Sequence, residues 1–164
     1  MPSDVSTFLV SSVVALVGIV CAPPMARAHD LSQSESRIAI DGSTVRVRLT
    51  IDLLEIPGVD VDRDGRVSYE ELDRTIERTF DLIKQHLQLR AAAAPPRIVL
   101  DRHRIVDEHM LEADLRYVFD QEVWRLDVTS TFSAIMRPGH RHLVTVTGKR
   151  AVHQAVLEDR KSVV

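Results

Sequence analysis

The chain has a single cysteine, Cys21, among its 164 residues, so neither an intrachain disulfide framework nor a cysteine-rich zinc site is open to it. Aromatic residues make up only 4% against 45% hydrophobic residues overall, so a core must be assembled mainly from aliphatic side chains. There is no basic surplus. With 21 Lys+Arg against 24 Asp+Glu the formal net charge is -3, and nothing in that balance would neutralise a phosphate backbone, so nucleic acid is not the expected partner. The acidity is also too mild, and the apolar fraction too high, for a disordered acidic tail. At 18.5 kDa the length suits one domain, since two would each be small. Catalytic signatures are missing too: the sequence has no Gly-x-Ser-x-Gly, no His-Glu-x-x-His and no glycine-rich phosphate loop, so no enzyme activity is expected.

The longest uncharged apolar run, residues 8–20, falls short of the roughly 20 residues a membrane-spanning helix needs, and Pro23 and Pro24 would end it. Ala26-Arg27-Ala28 behind it has the small-x-small form of a signal-peptidase site. Residues 1–28 therefore read as a signal peptide, although the first residues carry Asp4 and no Lys or Arg. Residues 29–164 then form a single secreted or periplasmic domain. Cleavage removes one charge of each sign, Asp4 and Arg27, together with the only thiol. Such a domain must rely on its core and, where one is bound, a metal.

Residues 37–40 and 43–51 read as two strands joined at Asp41-Gly42, with Val45, Val47, Leu49 and Ile51 alternating against Arg46, Arg48, Thr50 and Asp52. Pro57-Gly58 stops this stretch. From residue 69 to about 87, Leu72, Ile76, Phe80, Ile83 and Leu87 recur at helical spacing. Residues 91–96 form a linker closed by Pro95-Pro96. Period two then returns: Leu111, Ala113, Leu115, Tyr117 and Phe119 share a face, and Trp124, Leu126 and Val128 alternate with Arg125 and Asp127. Trp124, Tyr117 and Phe119 read as core. Two more strands follow around residues 143–146 and 151–157. Seven or eight strands predict a mainly β domain, an antiparallel β-sandwich with one helix and its loop inserted at residues 57–90 between the second and third strands.

The chemistry concentrates in residues 60–71. Asp60, Asp62 and Asp64 stand at alternate positions of a turn, Gly65 permits a sharp bend, and Glu71 closes the segment. Carboxylates so spaced converge on one point, and a hard cation wants six to eight oxygens. The carbonyl of Arg66 and the hydroxyl of Ser68, directly or through water, complete such a set. The competing reading is a helix cap, because Ser68 and Glu71 also form a capping-box pattern and acidic residues suit a helix N-terminus. Capping alone does not explain why four carboxylates crowd into one turn.

This segment resembles an EF-hand calcium loop. The resemblance implies Ca2+ bound by Asp60, Asp62, Asp64, Arg66, Ser68 and Glu71, with a mainly structural role. It departs from the usual pattern in having Pro57-Gly58 where an entering helix should finish, and in having no second loop. Val67, the pairing position, is then expected to join the adjacent sheet or a second copy of the chain in a homodimer.

A broader similarity runs through Ala28-His29-Asp30-Leu31-Ser32, Ser34-Glu35-Ser36, residues 54–60, Asp114-Leu115-Arg116-Tyr117 and Pro138-Gly139-His140-Arg141-His142. This order is similar to the exported region preceding the membrane part of bacterial hydrogenase/urease accessory-type proteins, a family associated with nickel uptake. It implies an alternative, a periplasmic nickel or copper handling domain partnered by a membrane protein or by a membrane segment beyond Val164. His140 and His142, two apart on a strand, and His29 at the new N-terminus would be its ligands. Against this, His140 and His142 also read as polar strand-edge residues and His29 as part of a frayed terminus.

Overall fold

Residues 32–91, 94–149 and 151–157 are described by the computed structural model; the expected signal peptide and His29 lie outside them. The fold is mainly β with one inserted helix. Strand β1 (Gln33–Asp41) turns into β2 (Thr44–Asp52) through Gly42-Ser43, where Gly42 takes φ 63, the positive angle that a two-residue hairpin with glycine first requires. A 3-10 turn, Leu53–Glu55, leads into the acidic loop, and helix α1 (Tyr69–His86) follows. Then come β3 (Leu87–Arg90), β4 (Arg97–Val106), β5 (Met110–Val118), β6 (Asp127–Ser130), β7 (Arg141–Thr147) and β8 (Val152–Leu157).

Six strands form one sheet in the order β4-β5-β2-β1-β7-β8, and β3 pairs with β6 in a second, two-stranded sheet. The pairing is not purely antiparallel as expected. β1 and β7 run parallel, from Gln33 opposite Arg141 to Ala39 opposite Thr147. Period-two alternation is the same in either direction, so the pattern could not report strand polarity; β7 enters the sheet from β6 of the second sheet rather than from a hairpin with β1, so no local turn fixes its direction. β3 was also unforeseen. The helix stops at His86, and Leu87, expected as its last apolar residue, instead caps it in an extended conformation and starts the alternation Leu87, Leu89 against Gln88, Arg90.

The inner face of the large sheet buries Ile38, Val45, Val47, Leu49, Ile51, Leu111, Ala113, Leu115, Tyr117, Val144 and Val146. Leu72 and Ile83 of α1, Leu87 and Leu89 of β3, Val128 of β6 and Phe132 complete this core. The outer face is polar, crossed by ion pairs such as Arg48–Asp114 at 2.8 Å, Arg104–Glu112 at 2.8 Å and Arg116–Asp101 at 2.7 Å. Trp124 is not core: it is 83% exposed. The peptides around it are tied to the β1–β2 turn, with the Phe119 amide donating to the Ser43 carbonyl and the Val123 amide to the Gly42 carbonyl, both at 2.9 Å. That path buries Val123 and Leu126 and turns the intervening indole outward. Among the described residues no helix is long and apolar enough to cross a membrane.

Candidate metal centre

The acidic loop hangs between two fixed points. On the entering side, Asp52 caps the 3-10 turn by accepting from the Leu54 amide at 2.9 Å, and buried Ile56 and Val59 anchor the chain just before Asp60. On the leaving side, Ser68 caps α1 in a complete capping box: Ser68 Oγ accepts from the Glu71 amide at 3.2 Å, and Glu71 Oε2 accepts from the Ser68 amide at 2.9 Å. Gly65 at φ 82 and Arg63 at φ 62 make the bend between them.

This path brings Asp60, Asp62 and Glu71 together, each offering one carboxylate oxygen within 4.8 Å of the other two. Inside the loop the carboxylates also order the backbone: Asp60 Oδ2 accepts from the Gly65 amide at 3.2 Å, and Asp62 Oδ1 from the Asp64 amide at 3.1 Å. Glu71 Oε1 accepts from the Val61 amide at 2.8 Å and the Asp62 amide at 3.4 Å. Donation from the Ser68 backbone, then the Val61 backbone and the Ser68 hydroxyl, holds the Glu71 carboxyl down at about 2, so it is anionic at any ordinary pH. One atom is left over. Asp60 Oδ1 is buried and has no hydrogen-bond partner. A buried carboxylate oxygen without a donor is costly, and a cation is the chemistry that satisfies it.

Asp64, Arg66 and Ser68 stand differently. Asp64 is exposed, lies outside the three-carboxylate group, and accepts from the Arg66 amide at 2.8 Å through Oδ1. The exposed Arg66 side chain lies 3.8 Å from Glu108. The Ser68 hydroxyl donates to Glu71 Oε2 at 2.9 Å, so capping and the carboxylate cluster share Glu71. Val67 is buried, and its amide donates to the Glu108 carbonyl at 3.3 Å, at the tip of the β4–β5 hairpin.

His140 and His142 are not at a strand edge: they are 2% and 1% exposed. Both nitrogens of each ring face serine hydroxyls, Ser32 at 2.6 Å and Ser34 at 2.9 Å for His140, Ser130 at 2.6 Å and Ser36 at 2.8 Å for His142. Neither belongs to a cluster of three or more metal-ligating side chains among the described residues. Sequence reading missed Glu55, whose Oε2 accepts from Ser32 Oγ at 2.5 Å and lies 3.4 Å from His140 Nδ1. The available signal was Ser34 and Ser36 standing in phase with Ile38, on the face of β1 that is buried. No protein-family model matches the chain, and no curated protein is significantly similar to it.

Proposed function

We propose that the chain is an exported calcium-binding accessory module in which Ca2+ has a mainly structural role. Asp60, Asp62 and Glu71 would hold the ion, with Asp64 and the Arg66 carbonyl completing the shell. The observation that carries this reading is the buried, partnerless Asp60 Oδ1 inside a group of three carboxylates. A divalent cation neutralises the mutual repulsion of these side chains and fixes the loop against the first turn of α1, so metal binding is linked to stability. Affinity on the order of 10⁻⁴ to 10⁻³ M fits an extracellular module of this kind. The test is calorimetric titration of the full chain with Ca2+, alongside thermal melts of wild type and Asp60→Ala. Heat of binding and a raised melt in wild type, both lost in Asp60→Ala, are expected. No calcium heat, or nickel binding without any calcium effect, would overturn the reading.

A further inference from the structure

Ser34, Ser36, Ser130, His140 and His142 are all 3% exposed or less, a polar layer inside a core that is otherwise mostly aliphatic. Proton bookkeeping orients half of it. Ser32 Oγ has one proton and donates it to Glu55 Oε2, so it must accept from His140 Nδ1; His140 Nε2 then accepts from Ser34 Oγ. That chain ends on a carboxylate. His142 has no such terminus. Its ring spans the two sheets, from Ser36 on β1 to Ser130 on β6, with the Phe132 ring centroid 5.1 Å away at 60°.

A neutral imidazole fits this bridge, because one nitrogen donates and the other accepts, and hydroxyls do either. A protonated ring does not. Both nitrogens would then donate, and each serine would have to turn its own proton toward another acceptor in a water-excluded site. Among the described residues no carboxylate is paired with His142. Its titratable neighbour is His140, of the same potential sign. Around His140 stand Glu55 and Asp52, with Arg137 against Glu55 at 3.7 Å. From α1, His86 binds Thr131 Oγ1 at 2.8 Å and lies beyond Phe132. Glu35 and Arg37 of β1 pair with each other at 2.7 Å, and Asp127 of β6 pairs with Arg125 at 3.3 Å. Opposite His142 on β8 is Leu157.

We propose that His142 is an acid-sensitive clasp between the two sheets, closed while its ring is neutral and opened when the ring is protonated. Burial first, and His140 second, push His142 down to about 3; burial lowers His140 as well, against Glu55. The folded form therefore binds fewer protons than the unfolded chain, whose histidines titrate near 6.5. Stabilisation is complete above about pH 6.5 and is lost as pH falls toward 3. Each histidine kept neutral weakens the folding equilibrium about tenfold per pH unit in that window.

The experiment uses the full chain in EDTA, so calcium plays no part. NMR titration from pH 7.5 to 4.5 should leave the His142 resonance of the closed form unshifted while it loses intensity to an opened form whose ring is protonated. Contacts between the Phe132 and His142 rings should weaken before cross-strand contacts between Ile38 and Val47. Urea unfolding of His142→Gln, which bridges but cannot charge, should show a pH dependence shallower than wild type by about tenfold per unit. A folded-state His142 midpoint near 6.5, simultaneous loss of both sets of contacts, or an unchanged slope in the variant would overturn the proposal. Should His142→Gln fail to fold, the wild-type titration decides alone.

Discussion

Replacing Asp62 by Asn should change the sign of the chain's stability difference from wild type according to whether calcium is present. The amide keeps an oxygen to accept from the Asp64 N–H, so the turn survives and only the charge is removed. With carboxylate oxygens 4.8 Å apart at most, each like-charge pair costs about 0.9 kcal/mol in water, or roughly 0.5 after screening at physiological salt. Asp62 takes part in two of the three pairs, so its neutralisation should stabilise the metal-free chain by about 1 kcal/mol, or about 4 °C of melting temperature. Calcium reverses the order. At about 10 mM, with a dissociation constant on the order of 10⁻⁴ to 10⁻³ M, wild type gains about 1.4–2.7 kcal/mol. The variant, short of one ligand, gains little. Differential scanning calorimetry at constant ionic strength should find Asp62→Asn melting above wild type in EDTA and below it, by about 2–7 °C, in calcium. Parallel shifts of both proteins, or a variant less stable in EDTA, would refute the reasoning.

Tyr117→Phe removes the hydroxyl that donates to the Leu87 carbonyl at 3.1 Å, where α1 gives way to β3, and leaves that buried carbonyl without its donor; urea unfolding should report a loss of about 1–2 kcal/mol. The Glu71 carboxyl, held near 2 in the fold against 4.5 ordinarily, contributes stability that is present above about pH 4.5 and lost as pH falls toward 2. Acid unfolding of Glu71→Gln in EDTA should lack that component, which a comparison of midpoints between pH 5 and 2 will reveal.

How far the sequence could be read followed the range of the interaction concerned. The β1–β2 hairpin, α1 and its capping box rest on contacts within a few residues, where alternation, helical spacing and the Ser68–Glu71 offset carry the information. The parallel β1–β7 pair, the β3–β6 sheet and the outward Trp124 depend on partners dozens of residues away. The acidic cluster was legible for the same local reason: Asp60, Asp62 and Glu71 converge, and Asp64 stands beside them with Oδ1 on the Arg66 amide. The histidine layer was hidden, because polar residues at alternate positions signal a wet face. Ser34, Ser36, His140 and His142 occupy a buried one, which only mutual satisfaction across β1, β6 and β7 makes tolerable.

The two polar centres meet through one short segment. Glu55, where the Ser34–His140–Ser32 chain ends, belongs to the 3-10 turn that delivers the backbone to Asp60, while the far side of the loop is held by the Val67 amide on the Glu108 carbonyl. Asp107 and Glu108 adopt φ of 50 and 59, a left-handed turn made without glycine, so the hairpin tip keeps its shape only while its surroundings hold it. Two of those supports come from the stretch between β2 and α1: the Val67 amide of the loop, and the Leu53 amide of the 3-10 turn, which donates to the His109 carbonyl at 2.9 Å. The acidic loop thus has a backbone partner in the β4–β5 hairpin, through the Val67 amide on the Glu108 carbonyl at 3.3 Å. That contact places the loop beside the hairpin carrying the edge strand β4, whereas the histidine layer lies on the opposite side of β2, at β1 and β7.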